Sequence, residues 1–226
     1  MKRLIACCDG ILHVLFSNTK GTWKASYKGQ PSNVALLSRA IKPHTANPQI
    51  QQVVYYQAGV GTSNGSFLGR LRGGLFGDGL SENVRDAYLY ICLNWSEGDE
   101  IYLFGFSRGA YTARALGGLI SEFGLLTKEG TDGWAKLYHH YRKNKFTVRQ
   151  EFKDAFNRDY PNGCQEKVNI KFIGVWDTVG SLGVPQLYLF GMNLVPLNWL
   201  LNYWRDAKQF GNTDLMPNVE YAFQAY

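Results

Sequence analysis

The sequence predicts an α/β domain, a mostly parallel sheet with helices packed on both faces. Three observations carry that reading. Four short runs, Arg3–Asp9, Gln51–Ala58, Glu100–Phe106 and Val168–Asp177, are rich in Val, Ile, Tyr and Phe and nearly continuous in apolar character, as strands covered on both faces are. Helical patterns alternate with them, which fits crossover connections between parallel strands. Hydrophobic residues make up 45% of the chain and charged residues 19%, enough to fill a core.

The elements follow in order. Arg3–Asp9 carries too short an apolar run for a signal peptide, and Asp9 closes it, so it reads as a buried first strand. Asn33–Ile41 is a helix with Ser32 as its N-cap and Pro43 as its stop. Gln51–Ala58 is the second strand, and the Gly-rich stretch from Gly59 to Gly79 is a loop of the length that usually carries function. Ser81–Leu93 is a helix, Glu100–Phe106 a strand, and Gly109–Phe123 a helix whose Gly109, Ala110, Ala113 and Ala115 can lie close to a sheet. Trp134–Asn157 reads as one polar helix before the strand Val168–Asp177. The most apolar stretch, Leu187–Trp204, is interrupted by Gly191, Asn193, Pro196, Asn198 and Asn202, which argues against a membrane span and suits a lid or lipid-facing surface as well as it suits ordinary core or loop filling. There is no internal repeat, and residues 1–226 are expected to form a single domain in the cytoplasm.

Charge and cysteine usage exclude some functions. The 24 Lys and Arg against 18 Asp and Glu leave +6, but the basic residues are scattered, so no nucleic acid is expected as a partner. Anionic lipid surfaces would be favoured modestly. Cys7 and Cys8 are adjacent while Cys92 and Cys164 stand far off, which offers neither a disulfide framework nor a metal-binding pair. A reducing compartment and no metal or cofactor are expected.

The chemistry centres on Gly105-Phe106-Ser107-Arg108-Gly109, a G-x-S-x-G pattern between a strand and a helix. Such a turn is too sharp for a Cβ on either side of the serine, and it lifts the hydroxyl above the sheet. The N–H of Arg108, at the start of the helix, is placed to hold an oxyanion. A second match, Gly61-Thr62-Ser63-Asn64-Gly65, lies in the Gly-rich loop without a strand or helix around it and reads as a turn hydroxyl. Asp177 closes a buried strand where it could orient a base or simply cap a turn. The histidines, His13, His44, His139 and His140, all precede Asp177, so none fits the order Ser, acid, His.

Together these segments resemble a known family, the α/β-hydrolase catalytic domain of type VI secretion phospholipase effectors and many fungal proteins. The resemblance rests on Cys8-Asp9-Gly10, Ser32-Asn33-Val34, Tyr56–Thr62, Gly98-Asp99-Glu100, Gly105–Leu116 and Gly174–Gly180. It implies a serine lipase or esterase acting on lipids or other esters, with Ser107 as nucleophile, Asp177 as triad acid, and Gly10 beside Arg108 at the oxyanion hole. It also implies transient contact with a membrane surface. In the family, Asp-Gly runs straight into Thr-Trp; here Ile11–Gly21 separate Gly10 from Thr22-Trp23, as an insertion or a retained intron would. The family's histidine lies in a Trp-Phe-x-Gly-x-His motif that is absent, so an α/β-hydrolase-like fold incomplete at its C-terminus is expected. A hydrolase without its base could instead serve as a binding module. Substrate head group and oligomeric state are not legible in the residues.

Overall fold

The computed structural model describes residues 1–10, 31–46, 48–58, 78–144, 147–176, 188–189, 192–193 and 215–225. The first strand, β1 (Lys2–Cys8), is followed by helix α1 (Asn33–Ala40), β2 (Gln51–Gln57), α2 (Asp78–Asn94), β3 (Glu100–Phe106) and α3 (Arg108–Phe123). Next come the short β4 (Leu125–Leu126), helices α4 (Trp134–Lys143) and α5 (Gln150–Asp159), and β5 (Cys164–Gln165). The chain continues with β6 (Ile170–Trp176), the hairpin β7 (Tyr188–Leu189) and β8 (Met192–Asn193), and β9 (Val219–Ala225). Strands β2, β1, β3, β6 and β9 form one sheet in that order, every neighbouring pair parallel. The expected α/β class, with helices on both faces, is what the structure has.

The central position of β1 explains its composition. From Leu4 to Cys8 every residue is buried, with Leu4 and Ala6 facing one side and Ile5 and Cys7 the other. Alternating side chains reach both faces of a strand, so a strand covered twice has no polar side to show. On the first face, Val84, Ala87, Tyr88 and Ile91 of α2 and Ala113, Leu116 and Ile120 of α3 pack on Leu4, Leu103 and Ile173. On the second, Val34 of α1 joins Ile5 and Cys7, flanked by Tyr102, Phe104, Phe106 and Trp176. Burial pushes the Cys7 and Cys8 thiols up to about 12, so these cysteines are inert apolar fillers.

The register of β1 on β3 positions the site. Lys2 and Arg3 clasp Asp99 and Glu100 at one end of the pair, and the Lys2 N–H donates to Asp99 Oδ1 at 2.7 Å. Five residues after the Arg3–Glu100 pair the same register sets Cys8 opposite Gly105, bringing the end of β1 against the turn after β3.

Two elements differ from expectation. The helix expected over Trp134–Asn157 is two helices. Asn144 closes the first, donating its backbone N–H and its amide to the His140 carbonyl at 3.0 and 2.8 Å. Val148 then sinks into the core, its N–H donating to Glu122 Oε2 at 3.2 Å, which pulls the chain off the helical path. Strand β9 was not foreseen; it extends the sheet beyond β6, with Tyr221 and Phe223 half exposed or more along its outer face.

Candidate active site

Ser107 sits between the last residue of β3 and the first of α3. Its backbone has φ 54° and ψ −116°, a region that non-glycine residues rarely occupy and that costs about 1–3 kcal/mol. The surroundings fix it there. The Ser107 N–H donates to the Trp176 carbonyl at 2.9 Å, and its own carbonyl accepts the Tyr111 N–H at 3.3 Å. Its side chain makes no capping bond to the helix and is 4% exposed.

The glycines of the motif are explained by contact. A Cβ on Gly105 would collide with the backbone of Gly109 and Ala110, and one on Gly109 would collide with the carbonyl of Cys8. Gly10 is a third such residue: a Cβ there would lie 2.9 Å from the Ser107 Cβ and 2.8 Å from the Phe106 oxygen. Helix α3 thus starts in direct contact with the end of β1, its N–H groups converging beside Ser107. Burial pushes the Arg108 guanidinium down to about 10, which leaves it charged at neutral pH.

Beside the turn lies a buried carboxylate. Asp9, 4% exposed, accepts the Gly10 N–H on Oδ1 at 2.7 Å. On Oδ2 it accepts the hydroxyls of Ser32 at 2.8 Å and Tyr56 at 2.6 Å. Burial first, and then the bond to Asp9, push the Tyr56 phenol well up. The sequence reading named these segments but saw no shared role for them. A lone Asp after a run of buried apolar residues was the available signal. The Gly10 N–H, expected near the oxyanion, is here taken by Asp9.

The family model for the catalytic domain of type VI secretion Tle1-like phospholipase effectors matches residues 2–226. The chain belongs to this family. It is 34% identical over 214 residues to the uncharacterized protein YEL023C of Saccharomyces cerevisiae, a match that takes in 84% of this chain and 28% of the yeast protein. The Tle1 effector bound to the VgrG spike of the type 6 secretion system superposes over 98% of this chain and 44% of its own, at 16% identity and a TM-score of 0.41. The chain therefore spans less than half the length of either relative.

In this Tle1-like domain the described histidines stand away from Ser107. His44 bridges Gln51, the first residue of β2, whereas Ser107 follows the last residue of the parallel β3, so about 20 Å of strand separates them. His140 stacks on Phe152 at 3.8 Å, and Phe152 packs at 6.4 Å on Phe123, the last residue of α3. That helix has 16 residues, about 24 Å of rise from the elbow. His139 is the exposed neighbour of His140. His13, Ser63, Asp177, the Gly59–Gly79 loop apart from Asp78 and Gly79, the Ile11–Gly21 stretch and most of Leu187–Trp204 lie outside the described residues. Among the described residues no helix is long and apolar enough to cross a membrane, and no three His, Cys, Asp or Glu are grouped to hold a metal.

His140 is expected to lend the fold acid sensitivity. Its Nε2 is buried without a partner among the described residues. Burial, then the charges of Arg149, Lys143 and His139, hold the imidazole below its ordinary value of 6.5. A lowered folded value means the unfolded chain takes the proton first, so stability present above 6.5 is lost as the pH falls through the folded value. Urea midpoints at pH 7.5 and 5 should fall less on acidification for His140→Gln than for the wild type. Equal falls would show that another group sets the acid limb.

Proposed function

We propose that this protein is a serine hydrolase of carboxylic esters, of the lipase or phospholipase type, working through an acyl-enzyme on Ser107. The observation that carries the reading is the backbone of Ser107, held at positive φ between β3 and α3 by three close-packed glycines. Strain kept at such a turn is common at reacting groups.

The Ser107 Oγ attacks the ester carbonyl as its proton passes to a base. The Arg108 N–H, at the positive end of α3, donates to the oxyanion of the tetrahedral intermediate. Collapse expels the alcohol, which takes the proton back, and water then releases the acid by the reverse route. Asp177 is assigned to orient the base, since it directly follows Trp176, whose carbonyl holds the Ser107 N–H. Gly10 borders the oxyanion from the other side, and its N–H can donate there only when Asp9 releases it. None of the described histidines is placed to serve as that base. Lipid as substrate rests on the family's phospholipase character, and +6 of net charge suits an anionic lipid surface.

A second reading has its own observation: His44, His139 and His140 cannot reach Ser107, so the fold could bind esters or lipids without turning them over. Labelling with a fluorophosphonate, read by intact mass, separates the two. Addition of one phosphonyl group, absent from Ser107→Ala, is the expected result for the hydrolase. A folded wild-type chain that stays unlabelled favours the binding module.

A further inference from the structure

Three distant stretches of the chain meet on one carboxylate. Ser32 and Tyr56, 23 and 47 residues from Asp9, both donate to its Oδ2, while Oδ1 takes the Gly10 N–H. The sheet does not need these bonds. The ladder between β1 and β2 already runs to Cys8 opposite Gln57, and the Asp9 N–H donates to the Gln57 carbonyl at 2.9 Å. The carboxylate acts just past the ladder, on the first residue that is free of it. It ties Gly10 to the N-cap of α1, where Ser32 also accepts the Ala35 N–H at 3.0 Å, and to the far end of β2. A Cβ built on Gly10 would fall 2.9 Å from the Ser107 Cβ, so even one methyl does not fit between Gly10 and the serine, and the placing of Gly10 bears on that of Ser107.

We propose that Asp9, held by Ser32 and Tyr56, is a positioning residue that seats Gly10 against Ser107 and so sets how readily Ser107 is acylated. The proposal rests on Ser107 being the nucleophile. A carboxylate suits the task because two hydroxyls must both donate to it, whereas an amide would turn an N–H toward one of the three donors. Fixed geometry at a nucleophile matters steeply, since a misplacement of about 1 Å can cost about 100-fold in rate.

The test is the second-order rate of fluorophosphonate labelling, with melting temperature measured alongside. Tyr56→Phe removes one hydroxyl and keeps the ring. Ser32→Asp keeps an N-cap for α1 but sets carboxylate against carboxylate, while Ser32→Thr keeps both cap and donor. Tyr56→Phe and Ser32→Asp should slow labelling between about 10- and 100-fold. Ser32→Thr should restore the wild-type rate, which a purely structural role for the hydroxyl bonds does not require. Wild-type rates in Tyr56→Phe and Ser32→Asp would overturn the proposal. If the wild type is not labelled at all, the nucleophile reading has failed, and amide exchange at Gly10 decides the clamp by itself. Faster exchange in Tyr56→Phe supports the seating of Gly10, and unchanged exchange overturns it.

Discussion

Replacing Ser107 with glycine will end covalent labelling of the chain and raise its unfolding temperature in the same step. The serine is held at φ 54°, where a side chain is strained by about 1–3 kcal/mol and glycine is not. Glycine gives back about 0.5–1 kcal/mol through the greater freedom of the unfolded chain. A net gain of about 1 kcal/mol remains, or about 2–4 °C for a domain of this size. Ser107→Ala provides the control. Alanine keeps a Cβ at the same φ, so it should lose labelling while its melting temperature stays close to wild type. If both variants melt together, Ser107 is not strained and the functional argument drawn from its backbone fails with it.

The second large effect is on the fold. Gly109→Ala should destabilise the protein by at least about 3 kcal/mol, at or beyond the upper range of ordinary overpacking. The reason is what the methyl would meet: the carbonyls of Cys8 and Asp9, backbone of a strand paired on both sides. A side chain could rotate away, but a central strand cannot retreat without breaking its ladders to β2 and β3. Chemical denaturation should show a lower midpoint with an unchanged slope. Gly10→Ala, opposed by Ser107 and the Phe106 oxygen at 2.8–2.9 Å, should cost less, because Gly10 itself lies past the β1 ladders, which end at Cys8. A Gly109→Ala protein as stable as the wild type would mean that α3 does not rest on β1.

How far the residues announced this structure depends on whether the cause was local. Glu100–Phe106 was legible to the residue, because a buried strand followed by small residues leaves few alternatives. The turn at Ser107 was legible for the same reason: glycine on each side of a serine in a strand-to-helix turn is a local steric requirement. The break between α4 and α5 was not, since Val148 leaves the helical path for a place in the core supplied by other elements. Strand β9 had an apolar and polar alternation in Val219-Glu220-Tyr221 that could have been read, but nothing nearby in sequence revealed its partner β6. The bonds of Asp9 were out of reach altogether, because a carboxylate's donors from positions 32 and 56 become neighbours only once the sheet has formed. Asp177 lies outside the described residues, and its role as triad acid is a proposal.

The strand order also sets a timetable for folding. β1 leaves the ribosome first, yet it finishes between β2 and β3, and Arg3 meets Glu100 only after 97 further residues. At about 5–20 residues per second, synthesis of that stretch takes about 5–20 s. Throughout that interval a segment with no polar face lacks one of its partners, and parallel pairing over such separations is intrinsically slow to form. Until β3 has been made the nascent chain therefore carries an apolar strand short of one partner, the condition in which chaperones that shield apolar segments act.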